Sequence, residues 1–160
     1  MIVVPFEDDA ERAVVAELKE RWGWDTNFNE RTIKLTELIT ILARDLIIPV
    51  DHPTFASVEN APDYMLPKEP VIALVINGDA RGYPLAILMW HEIVNDTVGG
   101  IPVTVTFCPL CNTGIVFERV VNGQELTFGT SGMLRRIELH QSQRVNPDQT
   151  DQPEFCLLPC

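Results

Sequence analysis

The sequence predicts an α+β fold: antiparallel β-hairpins with one buried helix, two N-terminal helices and a disordered C-terminal tail. Three observations predict it. Two Asn-Gly pairs, Asn77-Gly78 and Asn122-Gly123, each stand between β-rich runs, the strongest two-residue hairpin signal. Near the start, Ala13, Val14, Leu18 and Trp22 recur at helical spacing with charged residues between them. From Gln141 to Glu154 the chain holds four Gln, two Pro and almost nothing apolar, a composition that cannot bury a core.

The elements follow in order. Asp9 to Trp22 is the first helix, with Gly23 as its stop. After a polar connection containing Asn27 and Asn29, Thr36 is placed to N-cap a second helix through about Leu46, its apolar side formed by Leu38, Ile39, Leu42 and Leu46. Five prolines between Pro49 and Pro70 predict an ordered loop. Val71–Ile76 and Asp79–Tyr83 are the arms of the first hairpin. Pro84 suits the first turn of a helix to about Asn95, apolar nearly all round and therefore expected to be buried. Gly99-Gly100 breaks the pattern. Val103–Phe107 is a strand that runs into Cys108-Pro109-Leu110-Cys111; Gly114–Val121, the second Asn-Gly turn and Glu125–Phe128 follow. The domain reading is residues 1–24 as an N-terminal helix, 25–136 as one α+β domain and 137–160 as a polar tail.

Composition narrows the partners. Hydrophobic residues make up 46% of the 160 positions, enough for one domain with a core. Twelve basic against 23 acidic residues give a net charge of −11, which repels a phosphate backbone and excludes nucleic acid as an expected partner. No apolar stretch reaches the roughly 18–20 residues of a membrane span. The first nine residues turn acidic where a signal peptide needs its apolar run, so a cytoplasmic location is the default expectation. Nothing in the sequence sets the oligomeric state.

Four cysteines are too few for a disulfide-built miniprotein, and their placement says more than their number. In Cys108-Pro109-Leu110-Cys111 two intervening residues let the sulfurs meet around one turn, so the pair can switch between dithiol and disulfide. The same spacing lets both thiolates bind one soft metal, zinc or copper. Residues after Cys111 favour a strand, unlike the helix that follows the motif in a thioredoxin fold. Position at the strand exit favours Cys108 as the nucleophile. His91, near the end of the expected buried helix, is the candidate third residue, to tune a thiol or to complete a metal site with Cys108 and Cys111. Asp51-His52-Pro53 suits a backbone-fixing turn. Ser131-Gly132 is expected to be a tight turn, and Arg135-Arg136 a solvated pair with the option of an anionic ligand. Cys156 and Cys160 could complete a four-thiolate zinc site with the first pair. The exchange partner, a redox protein or a small molecule, is left open.

Taken together, Trp90-His91-Glu92-Ile93-Val94-Asn95-Asp96, Phe107-Cys108-Pro109-Leu110-Cys111 and Phe128-Gly129-Thr130-Ser131-Gly132-Met133-Leu134 resemble a family. It is an uncharacterised prokaryotic family, domain of unknown function 3179. The likeness takes in Ile48–Pro53 and Ile76–Pro84 and covers roughly Asp25 to Leu134. Selenoprotein members imply redox chemistry at a cysteine-like position. Carried onto this chain, that implies Cys108 and Cys111, with His91, Glu92, Asn95 and Ser131-Gly132 around them. Members continue with a strand-rich section after the Ser-Gly-Met-Leu motif, so the polar tail reads as a truncation or frame change, with an incomplete and nonfunctional copy as a third expectation.

Overall fold

The computed structural model describes residues 9–29, 31, 33–135, 138–144 and 156–157, without the side chains of the last two segments. Helix α1, Asp9–Glu20, carries Asp9 and Glu11 in its first turn and Lys19 in its last, charges that complement the helix dipole. A 3-10 turn, Leu35–Glu37, leads into strand β1, Leu38–Thr40. Strand β2 is Val50–Asp51 and another 3-10 turn is Val58–Asn60. Strands β3 (Val71–Ile76) and β4 (Asp79–Pro84) precede helix α2, Leu85–His91. Then come β5 (Ile93–Val98), β6 (Ile101–Cys108), β7 (Thr113–Glu118), β8 (Val120–Val121) and β9 (Gln124–Glu125). Strands β10 (Thr127–Arg135), β11 (Glu138–Arg144) and β12 (Cys156–Leu157) close the series.

The mixed α+β class and the antiparallel hairpins stand, and three details of the expectation are corrected. The second N-terminal helix is absent: Thr36 lies in the 3-10 turn, and Leu38–Thr40 pairs with Arg135–Met133 of β10. A strand partner nearly a hundred residues away outweighs the local helical spacing. The buried helix is shorter and half exposed. Leu88 is fully buried in α2, but Met89 and Trp90 are 56% and 81% exposed. Residues from Ile93 onward are strand, because β-branched Ile93, Val94, Thr97 and Val98 pair along β6. The tail expected to lack structure contains β11 and β12, which pair with each other; its other residues, apart from the described 138–144 and 156–157, lie outside the described set.

The chain forms two compact units, one of Ile47–Phe128 and one of Met1–Leu46 with Gly129–Cys160. The first holds a sheet ordered β2-β5-β6-β7, with β2 parallel to β5 and the rest antiparallel. Its core is Tyr83, Leu88, Val94, Val98, Val103, Val105 and Phe107, with Ile72, Leu74 and Ile76 of the β3–β4 hairpin packed against it. The two hairpin ends are tied together: Asn77 Nδ2 donates to the Gly99 carbonyl at 2.9 Å, and the Gly99 N–H donates to Asp79 Oδ2 at 3.1 Å. Gly99 has φ +54, and a Cβ there would collide with the Ile76 carbonyl; only glycine allows this approach. Buried Tyr83 donates to Asp96 Oδ2 at 2.8 Å. Burial, and then this bond, push the Tyr83 phenol above its ordinary range.

In the other unit the sheet order is β1-β10-β11-β12. Leu18, Trp24, Phe28, Leu35 and Met133 form its apolar cluster. Glu11 and Arg31 are both buried and pair at 2.8 Å, and Glu11 Oε1 also accepts the Leu35 N–H at 2.9 Å. Buried charges need pairing of this kind.

Candidate functional site

Strand β6 alternates strictly. Val103, Val105 and Phe107 enter the apolar core, while Thr104, Thr106 and Cys108 line the opposite face, as a two-residue period requires. Both faces are buried: Thr104, Thr106 and Cys108 are 0, 1 and 2% exposed. The Thr106 hydroxyl donates to the Ile115 carbonyl at 2.9 Å, whereas Thr104 Oγ1 has no hydrogen-bond partner among the described residues. This polar row was legible in the alternation Val-Thr-Val-Thr-Phe-Cys, although the sequence reading passed over it.

The β6–β7 ladder ends at the pair Cys108↔Thr113, and Pro109 to Asn112 form the turn between the strands. Asn112 turns the chain with φ 49, a left-handed conformation that Asn tolerates better than most residues. Wound this way, Cys108 Sγ and Cys111 Sγ lie 2.6 Å apart, and both cysteines are thiols. Their surroundings differ. Cys108 is 2% exposed, Cys111 is half-buried, and Leu110 between them is 68% exposed. The Thr113 hydroxyl donates to the Cys111 carbonyl at 3.1 Å and steadies the turn.

His91 is the last residue of α2, a helix that packs on β6. Its Nδ1 donates to the Ile48 carbonyl at 2.7 Å, so the ring is held by backbone rather than by either sulfur. Among the described residues, no three His, Cys, Asp or Glu side chains converge as metal ligands. The structure therefore brings Cys108 and Cys111 together and leaves His91 bonded elsewhere.

Glu92 follows in the left-handed region, φ 58 and ψ −29. Its N–H closes α2 on the Leu88 carbonyl, and its own carbonyl accepts the Phe107 N–H, both at 2.8 Å. The corner between α2 and β5 is thereby stitched to the residue preceding Cys108. The side chain is 8% exposed, and Oε2 has no partner among the described residues. Burial alone lifts the carboxyl to about 7, since leaving water penalises the charged form.

Other residues of the sequence motifs prove structural. Asn95 Nδ2 donates to Asp51 Oδ1 and to the Phe128 carbonyl, each at 2.8 Å, and Oδ1 accepts the Phe128 N–H at 3.1 Å. The His52 N–H donates to the Asn95 carbonyl at 3.3 Å, so Asp51-His52 fixes backbone as expected. Ser131 is fully buried and its Oγ accepts the Met133 N–H at 3.1 Å. Gly132 has φ +71, and a Cβ there would strike the Leu42 carbonyl. Arg135 is engaged by Glu37 at 2.8 Å, which corrects the expectation of a solvated residue. Arg136, Cys160 and the Cys156 side chain lie outside the described residues.

Residues 44–143 match the family model described as "Protein of unknown function (DUF3179)". The match spans more than half of the chain, and the protein belongs to this family. No curated protein and no solved structure matches the chain. No described helix is long and apolar enough to cross a membrane.

Proposed function

We propose that the protein is a thiol–disulfide exchange domain acting through Cys108 and Cys111. The supporting observation is the sulfur pair itself, 2.6 Å apart in a turn clamped by the last rung of a β-ladder. Closing to a bond of about 2.05 Å needs side-chain movement alone. The unequal burial of the two thiols divides the labour. Half-buried Cys111 attacks as thiolate, and buried Cys108 resolves. This reverses the order suggested by the strand exit, because an attacking sulfur must be reachable.

The step balances. Cys111 thiolate attacks one sulfur of a partner disulfide, forming a mixed disulfide while the other partner sulfur leaves and takes up a proton. Cys108, as thiolate, then attacks Cys111 Sγ and expels the second partner sulfur, which is protonated in turn. The protein loses two electrons and two protons to the partner, whose disulfide becomes two thiols. His91 orients the helix end beside this turn through Ile48. Among the described residues no third ligand side chain joins Cys108 and Cys111, so the two-sulfur exchange reading is the one this geometry supports best.

The test is a thiol count and intact mass before and after oxidation by a small-molecule disulfide. The oxidised chain is expected to lose about 2 Da and recover it with dithiothreitol. Cys111→Ser should abolish the mixed adduct, and Cys108→Ser should trap it. A Cys108 and Cys111 pair that stays reduced across biological potentials would refute the proposal.

A further inference from the structure

We infer that the end of the β2-β5-β6-β7 sheet carrying Cys108 and Cys111 is a docking surface for a polypeptide whose disulfide is flanked by apolar side chains. Resting on the exchange reading above, this names the class of partner that the cysteine pair serves.

Strand register sets the surface. β6 is antiparallel to β5 and β7, and β2 is parallel to β5. Cys108, the last residue of β6, therefore lies at the same end of the sheet as the first residues of β2, β5 and β7. The segments that reach this end are 47–49 before β2, α2 before β5, and the turn 109–112 before β7. His91 Nδ1 donates to the Ile48 carbonyl at 2.7 Å, which bonds the first two segments to each other. The Glu92 carbonyl accepts the Phe107 N–H at 2.8 Å, which bonds the end of α2 to β6 one residue short of Cys108. Four large apolar side chains on these segments are exposed: Ile48, Met89, Trp90 and Leu110. Such residues scattered singly are ordinary, whereas a group at one end of a sheet marks an interaction surface. Leu110 is joined directly to Cys111, the attacking thiol, so a partner that presents a disulfide to that sulfur meets Leu110 at the same moment.

Charge and area decide the occupant. Residues 47–50, 85–91 and 108–113 contain no Asp, Glu, Lys or Arg, although the chain has 23 acidic and 12 basic residues. The opposite end of the sheet does carry charge: Asp79 accepts the Gly99 N–H there, and β7 runs out at Glu118, followed by Arg119. An uncharged rim offers no cation to the carboxylates of a small anionic disulfide such as glutathione disulfide, and the net charge of −11 repels it. Apolar side chains beside a partner's disulfide have matching neighbours here. Four large exposed side chains present an area on the order of a few hundred Å². A stable dimer needs about 800 Å² from each partner, whereas transient redox encounters form on less. The rim therefore suits a passing polypeptide and not a second copy of this chain.

The experiment follows thionitrobenzoate release when the reduced full-length chain attacks mixed disulfides that share this leaving group. The carriers are a short peptide with Leu and Phe beside its cysteine, a peptide of equal length and charge with Ser and Gly there, and glutathione. The apolar peptide is expected to react at least about tenfold faster than either of the others. Trp90→Ser and Leu110→Ser, both at exposed positions, should each bring the ratio of the two peptide rates down towards one. Equal rates for the two peptides in wild type, or variants that keep the wild-type ratio, would overturn the inference. So would a wild-type dimer that Trp90→Ser dissociates in sedimentation, because the occupant would then be a second copy. Should no carrier react, the exchange reading fails and binding alone decides the surface. The apolar peptide with serine in place of its cysteine is then expected to shift the Trp90 indole resonance, identified by its loss in Trp90→Phe. A resonance that stays put overturns the docking surface as well, so the two failures are separable.

Discussion

Replacing Asn95 by alanine tests whether this side chain acts as a surrogate strand. Its amide donates to the Phe128 carbonyl at 2.8 Å and accepts the Phe128 N–H at 3.1 Å, and a third bond reaches Asp51. Phe128 is 0% exposed, so water cannot take over when the amide is removed. Each orphaned buried backbone group costs about 1–3 kcal/mol. Two of them, with the small void left by the amide, predict a loss of about 3–5 kcal/mol out of the roughly 5–15 that hold a domain together. For a chain of this length the thermal midpoint should fall by about 6–20 °C. Urea unfolding of wild type and Asn95→Ala measures the same quantity. Asn95→Asp should be no milder, because it loses the donor to the Phe128 carbonyl and sets a carboxylate against Asp51. An alanine variant within about 1 kcal/mol of wild type refutes the reasoning, since the Phe128 groups would then be satisfied without Asn95.

Glu92 also makes stability depend on pH. Its carboxyl titrates at about 7 in the folded chain against an ordinary value of 4.5, so between those limits the folded state keeps a proton that the unfolded state has lost. Stability is therefore greatest below the ordinary value and falls as pH rises through this window, by about 3 kcal/mol in all. Glu92→Gln should flatten that slope, and urea midpoints on either side of the window that move together in both proteins would contradict it. Gly132→Ala forces a Cβ into the Leu42 carbonyl at a positive φ, with an expected cost of about 1–3 kcal/mol; an unchanged melting temperature would show that the strand relaxes freely.

Legibility followed the range of the forces. The Asn-Gly hairpins were readable because the turn residues decide them locally: Asn77 and Gly78 have φ 49 and 82, and Asn122 and Gly123 have φ 52 and 80. Leu38–Thr40 was misread as helix because its partners, Arg135–Met133, lie at the far end of the chain. The run from Pro84 to Asn95 misled for another reason. A strand buried on both faces is as continuously apolar as a buried helix, and only the β-branched content after Glu92 distinguishes them. At the site, the meeting of Cys108 with Cys111 followed from spacing alone. Their unequal exposure did not, because it depends on the turn. The raised carboxyl of Glu92 and the bonds of Asn95 were equally invisible: one depends on desolvation, the other on a backbone 33 residues away.

The tight turn that brings Cys108 against Cys111 has a thermodynamic consequence. A covalent cross-link restrains the denatured chain according to the length of the ring it closes. From Cys108 to Cys111 that ring holds only four residues, a ceiling of about 2 kcal/mol, less than half of what a hundred-residue ring provides. In the proposed exchange role, making and breaking that cross-link would therefore change folding stability by little.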